Sequence, residues 1–294
     1  MFARKGEMTV SQAGVDVRFV PVPGPGAQLG DTTEMLDQAR VGANVGTVTD
    51  VARLSSFVPS LAIMSAPFLF DTYEQADTFA LSPDYLAWGD ELKAKSGLMM
   101  LASNWYQGPR HLLTKKPVSG PADLAGVRMR TIGAPIWIET IRAMGAEPTP
   151  MAWGEVYPAL ETRAIDGQEN PVVTIDTSKL YEVQKYLSLT RHAYTPFLVL
   201  YSQRLWDQLT ADEQKALRAC AVVGRDEQRR VSRELTSKSL ERVKAAGMEV
   251  SEISPAEIAK LRESTRPVYE RHRAAIGADT MERLEAALKS LRGN

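Results

Sequence analysis

The stretch from Ala125 to Pro171 constrains the fold of this chain more than any other, because strand-like and helix-like patterns alternate within it. A strand pattern from Val127 to Ile132 is followed by two helical patterns, and the stretch ends in the run Gln168-Glu169-Asn170-Pro171. Such alternation is typical of α/β proteins, in which the strand is expected to lie inside a sheet. Ligands of open α/β sheets bind beyond the carboxyl ends of the strands. Arg130, near that end of the strand, is therefore expected beside a ligand site.

Arg130 is the first candidate binding residue. Burying its guanidinium group is costly unless an anion meets it. The planar fork of donors fits a carboxylate through two parallel hydrogen bonds, which a lysine cannot reproduce. The sequence therefore predicts a site for a small carboxylate at Arg130. The alternative is a buried ion pair with a carboxylate of the protein itself. Arg128, two residues earlier, is expected to face solvent.

Length and charge exclude several classes of protein. The 294 residues are enough for two lobes, each with its own core. The 35 basic and 36 acidic residues nearly cancel, which argues against a nucleic-acid-binding surface. The single cysteine, Cys220, excludes an intrachain disulfide and leaves the redox compartment open. No apolar run is long enough to cross a bilayer.

The sequence offers no pattern for catalysis or for a metal cofactor. None of the three histidines is spaced from another histidine or from Cys220 as a metal site requires, and no Gly-x-Ser-x-Gly motif is present. Asp166, Glu169 and His192 could be imagined as an acid–base set. We interpret them instead as a turn former, a hinge hydrogen bond and a surface imidazole. We therefore expect no enzyme and no cofactor.

Several segments resemble one family of binding proteins. The segments GVRMR, GAEPTPMAWGEVYPALET, IDGQENP, SKLYEVQKYLSLTRH and, near the start, PGAQLGDTTEMLDQARVGA are similar to the solute-binding proteins of TRAP (tripartite ATP-independent periplasmic) transporters, dicarboxylate-binding type. The likeness extends in order over nearly the whole chain. It implies an α/β protein of two lobes, with a ligand cleft between the lobes and strands that cross between them.

The resemblance also implies a function. A protein of this kind captures a small organic acid in the periplasm (a C4-dicarboxylate, a sugar acid or a related carboxylate) and delivers it to the membrane subunits of a TRAP transporter. Two alternatives stay open: an N-terminally truncated or sensor homologue with weakened binding, and a carboxylate-processing enzyme.

The resemblance further implies a division of the chain. Lobe I is expected over residues 1–107 and about 196–235, and lobe II over 108–195 and about 236–263. Residues 264–294 are expected as C-terminal helices packed across both lobes. Met1-Phe2-Ala3 correspond to the first helix of the family. The first strand of the N-terminal lobe is therefore expected to be missing, and a leader to have been removed or left out.

Matching positions extend the predicted site beyond Arg130, which corresponds to the carboxylate-binding arginine of the family. Arg110 is expected to reach the ligand from just after a turn at Gln107-Gly108-Pro109; alternatively it faces water at a strand edge. Trp153 corresponds to an aromatic residue that lines the pocket, and its alternative role is simple packing. Asn170 precedes a proline and should be extended, with its amide free to bind the ligand, unless it forms an Asx turn.

Asp50 and Arg53 complete the candidate site. An acidic residue three positions before an arginine resembles the arrangement in sialic-acid-binding members of the family. The alternative is a local surface ion pair, which would contribute little to stability. A ligand contact at these positions suggests an acid with polar groups beyond its carboxylate.

Overall fold

The computed structural model describes residues 8–12, 15–19, 31–43 and 46–291. The predictions for Met1 to Ala3 lie outside these residues. The strands of the described part are β1 (Met8–Gln12), β2 (Val15–Phe19), β3 (Gly46–Asp50), β4 (Leu98–Thr114), β5 (Arg128–Thr131), β6 (Glu147–Pro150), β7 (Gly167–Pro171), β8 (Tyr186–Ser202) and β9 (Glu249–Glu252). The helices of the same part are α1 (Thr32–Val41), α2 (Tyr73–Phe79), α3 (Pro83–Ser96), α4 (Pro135–Ala143), α5 (Trp153–Glu161), α6 (Val172–Thr177), α7 (Gln203–Trp206), α8 (Ala211–Ala245), α9 (Pro255–Ile276) and α10 (Ala278–Leu291).

A mixed seven-stranded sheet organises the described part of the chain. Its strand order is β3-β8-β4-β7-β5-β6, with β9 also paired to β8. The long strands β4 and β8 are antiparallel, whereas β5 runs parallel to both of its neighbours, β6 and β7. Strands β1 and β2 form a separate antiparallel hairpin. The predicted α/β class and the interior position of the strand that carries Arg130 are both confirmed.

Local capping residues fix the starts of several helices. The carboxylate of Asp31 accepts from the backbone of Glu34 while Glu34 bonds back to the N–H of Asp31, forming a capping box. Thr210 and Glu213 make the same arrangement at the start of the 35-residue helix α8. No described helix is both long and apolar enough to cross a membrane.

Strands β4 and β8 are longer than local sequence patterns indicate. The predicted turn at Gln107-Gly108-Pro109 is wrong, because β4 continues through these residues to Thr114. Strand β4 passes this point through shifts in its register with β8, and Gly108 adopts a φ of +113°, a conformation that favours glycine. Likewise, the apolar run from Phe197 to Tyr201 has the length of a buried strand and predicts one, but it forms only the last third of β8.

Apolar side chains form separate clusters against this sheet. The largest includes Leu54, Trp137 and Leu200 and is completed by residues of α9 and α10. A second joins Val156 of α5 to Leu187 of β8 and to side chains of α6 and α8, and a third lies between β5, α4 and the start of α9. The predicted boundaries of the two lobes stay a prediction.

Candidate functional site

Arg130 is buried without a carboxylate partner in the described part of the chain. It is the third residue of β5, paired with Gln168 of β7 and Thr149 of β6, and only 2% of its surface is exposed. Its Nε and Nη2 atoms donate to the backbone carbonyl of Met151 at 3.3 and 3.0 Å. Its Nη1 atom donates to no described residue. The alternative prediction of an ion pair with the protein is therefore not what this part of the structure contains.

Keeping Arg130 charged in the protein interior costs free energy. Burial lowers the pKa of Arg130, and the nearby charges of Arg110 and Arg53 lower it further, although Glu169 opposes them. The resulting pKa is about 10, against 12.5 for an unperturbed arginine. A difference of this size corresponds to about 3 kcal/mol of destabilisation of the charged form. An anion placed beside the guanidinium group would reduce that cost.

Arg110, by contrast, has an internal partner. It is as deeply buried as Arg130, so the alternative prediction that it faces water is wrong. Its Nε donates to Oε2 of Glu169, and its Nη2 donates to Oε1 at 2.9 Å and to the backbone carbonyl of the same residue at 2.6 Å. Its Nη1 donates to Thr195 Oγ1 at 3.3 Å. These bonds fix the guanidinium group of Arg110 in one orientation.

Glu169, the partner of Arg110, lies in a buried polar cluster that includes His192. Burial raises the pKa of Glu169, but the charges and hydrogen bonds of Arg110 and His192 together outweigh burial, and the pKa lies below its ordinary value. His192 Nε2 lies 3.4 Å from Oε2 of Glu169, and His192 Nδ1 lies 2.8 Å from Thr190 Oγ1. The interpretation of His192 as a surface imidazole is wrong, because its side chain is fully buried. Glu169 is the counter-ion of Arg110 rather than the acceptor of a simple hinge hydrogen bond.

Asp50 lies at the end of β3 and is also buried, with 2% of its surface exposed. Its Oδ1 accepts from the indole Nε1 of Trp137 at 3.1 Å and from the backbone N–H of Ala52 at 2.9 Å. Its Oδ2 has no hydrogen-bond partner among the described residues. Burial raises the pKa of Asp50, while the charges of Arg110 and Arg53 act in the opposite direction.

Arg53 follows Asp50 in a short 3-10 helix, Val51–Leu54, and is partly buried. It makes no hydrogen bond or ion pair with any residue that the structure describes. Burial lowers the pKa of Arg53, whereas the nearby carboxylates of Asp50 and Asp31 raise it. The alternative prediction of a surface ion pair between Asp50 and Arg53 is wrong, since Asp50 is inside the protein and bonded to Trp137.

Aromatic rings accompany both buried arginines. The guanidinium carbon of Arg110 lies 4.9 Å from the ring centroid of Trp137, and that of Arg130 lies 5.4 Å from that of Trp153. Distances of this order are typical of cation–π contacts. Trp153 is partly buried at the first position of α5 and lies beside Arg130, the first candidate for the ligand site.

Asn170 lies inside β7 and is buried, so the alternative prediction of an Asx turn is wrong. Its Nδ2 atom donates to Oε1 of Gln168 on the same strand. Gln168 is paired with Arg130 in the sheet, so the two amides lie next to the candidate arginine. No group of His, Cys, Asp and Glu residues suited to a metal ion occurs among the residues that the structure describes.

Comparison with known proteins shows the relationship of the chain. Residues 9–275 match the family described as bacterial extracellular solute-binding protein, family 7 (DctP). The chain belongs to this family.

Relatives within family 7 are similar over most of their length. The 2,3-diketo-L-gulonate-binding periplasmic protein YiaO of Escherichia coli (strain K12) is 36% identical over 231 residues, which is 77% of this chain and 69% of that protein. The C4-dicarboxylate-binding periplasmic protein DctP of Rhodobacter capsulatus is 30% identical over 90% of this chain and 79% of its own length. The TRAP resemblance stated from the sequence is thereby confirmed.

The solved structure of a relative has the same fold as this chain. The sugar acid binding protein DctPAm from Advenella mimigardefordensis strain DPN7T, in complex with galactonate, superposes with a TM-score of 0.86 at 35% identity. The alignment covers 90% of this chain and 85% of that chain. The neighbours are two-lobed TRAP periplasmic binding proteins, which confirms the predicted fold class.

The sequence patterns do not indicate the groups that hold the candidate site residues in place. Trp137 was only one apolar residue of α4, although its indole bonds to Asp50, 87 residues away. Glu169 was not recognised as the partner of Arg110, 59 residues away. The residue type of Glu169 was a weak signal, because a glutamate that is buried usually needs a cation as its partner.

Proposed function

We propose that this chain binds a small organic acid in the periplasm through Arg130 and delivers it to the membrane subunits of a TRAP transporter. The observation that carries the proposal is the burial of Arg130 without a carboxylate partner among the described residues. A buried cation without an internal anion favours an external one.

The relatives support the same class of ligand. Their names describe binding of 2,3-diketo-L-gulonate, of C4-dicarboxylates and, in a crystal structure, of galactonate. All of these ligands carry at least one carboxylate. The family is one of transport solute-binding proteins, which favours binding without turnover.

We assign a different task to each candidate residue. Arg130 receives the ligand carboxylate through donors that no protein carboxylate occupies. Arg110, oriented by Glu169, supplies a second positive charge, and Trp153 packs beside the bound anion. Asn170 places an amide next to Arg130, and Asp50 and Arg53 meet the end of the ligand away from its carboxylate. The remaining donors of the arginines form charge-assisted hydrogen bonds, worth roughly 1.5–3 kcal/mol each.

Closure of two lobes around the ligand completes the proposal. Lobe I comprises residues 1–107 and about 196–235, and lobe II comprises 108–195 and about 236–263, with 264–294 packed across both. Closing the cleft excludes water from the carboxylate, which strengthens its bonds to the arginines.

The test is titration calorimetry with a panel of organic acids, using Arg130→Ala and the matched variant Arg128→Ala. Arg128 lies two residues away on β5, is exposed and pairs with Asp166, so it controls for loss of an arginine from this strand. We expect Arg130→Ala to weaken binding by about tenfold or more, at about 1.4 kcal/mol per decade, while Arg128→Ala binds like the parent. Unchanged binding by Arg130→Ala, turnover of the acid, or absence of binding by the parent protein would refute the proposal.

A further inference from the structure

We infer that Trp137 is a latch of the closed cleft, a positioning residue that ties strand β3 of the proposed lobe I to Arg110 of the proposed lobe II. This inference rests on the proposed function, because it concerns how the two proposed lobes are held together around the acid. It adds a contact within the protein itself that sets how long the cleft stays closed.

Helix α4, which carries Trp137, packs against two of the apolar clusters. Ile136 and Trp137, near its start, belong to the largest cluster together with Leu54. Ile141 and Met144, at its other end, belong to the third cluster. The start of α4 is therefore inserted among residues of the proposed lobe I, although the helix itself lies within the proposed lobe II.

Trp137 also makes a polar contact across the same boundary. Its indole Nε1 donates to Oδ1 of Asp50 at 3.1 Å, and Asp50 is the last residue of β3. The side chain of Trp137 is fully buried, and Asp50 is only 2% exposed. A hydrogen bond to a carboxylate is charge-assisted, and the exclusion of water strengthens it. The bond exists only while β3 and α4 stay together.

The ring of Trp137 has a different partner from its N–H group. The guanidinium carbon of Arg110 lies 4.9 Å from the ring centroid, a distance typical of a cation–π contact. Arg110 is in turn held by Glu169 and Thr195, so the indole packs against a group that is fixed on β4. A substitution that keeps an aromatic ring and removes the N–H group can therefore separate the two contacts.

The described conformation is nearer to that of a liganded relative than to that of an open one. The structure superposes with a TM-score of 0.86 on the galactonate complex from Advenella mimigardefordensis and of 0.76 on an apo open structure from Escherichia fergusonii. These relatives are 35% and 37% identical to this chain. The contacts of Trp137 therefore belong to a conformation that resembles the galactonate complex more than the open form.

A latch of this kind acts on one rate constant of binding. The acid enters an open cleft, in which the bond from Trp137 to Asp50 is not yet made. The bond then stabilises the closed complex from which the acid must escape. Its loss should raise the dissociation rate constant, koff, and leave the association rate constant, kon, unchanged.

The experiment measures both rate constants by stopped flow with galactonate, 2,3-diketo-L-gulonate and succinate. Trp137→Phe keeps a ring beside Arg110 and removes the N–H group. We expect koff to rise by about tenfold, with kon unchanged. The matched control is Trp88→Phe, because Trp88 is buried in the same apolar cluster but packs against Phe79 and Tyr85. We expect it to lower the melting temperature without changing either rate constant.

The variant Asp50→Asn tests whether Trp137 acts through Asp50. The amide oxygen of asparagine still accepts from the indole, but the bond is no longer charge-assisted. We expect Asp50→Asn alone to raise koff, and Trp137→Phe to raise it less in this background than in the parent. The melting temperature verifies that each variant is folded. If Trp137→Phe does not fold, Asp50→Asn alone decides, since it weakens the same bond at constant side-chain volume.

The outcomes separate the latch from the proposed function. If an acid binds the parent while Trp137→Phe releases it no faster than Trp88→Phe does, or if kon falls instead, the latch is overturned and the proposed function stands. An unchanged koff in Asp50→Asn, or an equal effect of Trp137→Phe in both backgrounds, also overturns it. If none of the acids binds the parent protein, the proposed function fails and the latch fails with it.

Discussion

Arg110 and Arg130 are equally buried but differ in their hydrogen-bond partners. Arg110 is bonded through several donors to Glu169, whereas Arg130 is bonded in the described part of the chain to a backbone carbonyl. Burial alone therefore does not distinguish an arginine that is paired within the protein from one whose charge has no internal counter-ion. The distinction is made by whether the protein itself supplies the anion.

The pair of Arg110 and Glu169 yields the first prediction. Glu169→Gln keeps the size of the side chain but leaves the buried charge of Arg110 uncompensated, so we expect the free energy of unfolding to fall by about 3–5 kcal/mol. Chemical denaturation measures the change. The control is Asp166→Asn, whose partner Arg128 is exposed, and for which a loss below about 1 kcal/mol is expected. Equal losses in both variants would show that the buried pair contributes no more than an exposed one.

The lowered pKa of Arg130 yields a prediction of pH dependence. Its pKa in the folded protein is about 10, below the ordinary 12.5. A bound anion stabilises the protonated form of Arg130, because opposite charges attract. Below this pKa the residue is charged and affinity should not depend on its titration; above it, affinity should fall by roughly tenfold per pH unit. Titrations of the acid from neutral pH to about pH 11, with circular dichroism as the control for folding, measure the effect. Constant affinity through this range would contradict the role of the Arg130 charge.

At the scale of helices and strands, local signals were sufficient for some elements and insufficient for others. The capping boxes at Asp31 and Thr210 involve neighbours three residues apart, so the sequence alone places those helix starts. The length of β4 depends on its pairing with β8, which continues past Gly108 through shifts in register. The sequence shows only the glycine and the proline there, which ordinarily indicate a turn.

Contacts between residues that are distant in the sequence limit the prediction of the candidate site in the same way. The position of Arg130 was predictable because one strand pattern places it near the carboxyl end of a strand inside the sheet. The bonds from Trp137 to Asp50 and from Arg110 to Glu169 join residues far apart in the chain, and no spacing in the sequence indicates them. Family resemblance supplied positions for Arg110 and Asp50 but not the groups to which they are bonded.

Gly167 yields a prediction for strand β7. It pairs with Thr114 of β4 and with Met129 of β5, and a Cβ atom placed on it would lie 2.7 Å from the backbone oxygen of Leu113. Gly167→Ala must therefore push β7 away from β4. We expect a loss of about 1–3 kcal/mol in the free energy of unfolding, as for other overpacked sites.

The control for this variant is Gly133→Ala. Gly133 is exposed, and its added Cβ atom would meet nothing nearer than Pro150 at 4.0 Å. Thermal and chemical denaturation of both variants measures the difference. If Gly167→Ala were as stable as Gly133→Ala, close approach of the strands would not be the reason for glycine at this position.

Strands β4 and β8 and helix α8 are the longest described strands and the longest described helix of the molecule. Strands β4 and β8 each span 17 residues, and α8 spans 35, or about 50 Å at 1.5 Å per residue. Strand β4 changes register with β8 on both sides of Tyr106, and Gln228 of α8 bonds to both the N–H and the carbonyl of that residue. Bulges are places at which strands bend. We therefore propose that closure of the lobes bends the sheet near Tyr106, where helix α8 holds it.

Closure of this kind predicts a change in overall size that small-angle X-ray scattering measures. A compact chain of 294 residues has a radius of gyration of about 19 Å. We expect the protein without ligand to exceed this value and to contract towards it when a saturating acid is added, because the proposed site has charged groups on both of the proposed lobes. Arg130→Ala should remain at the larger size under the same conditions, and Arg128→Ala should contract like the parent. An acid that binds tightly without any contraction would mean that the site is preformed, and that the charge of Arg130 is met by the ligand without movement of the lobes.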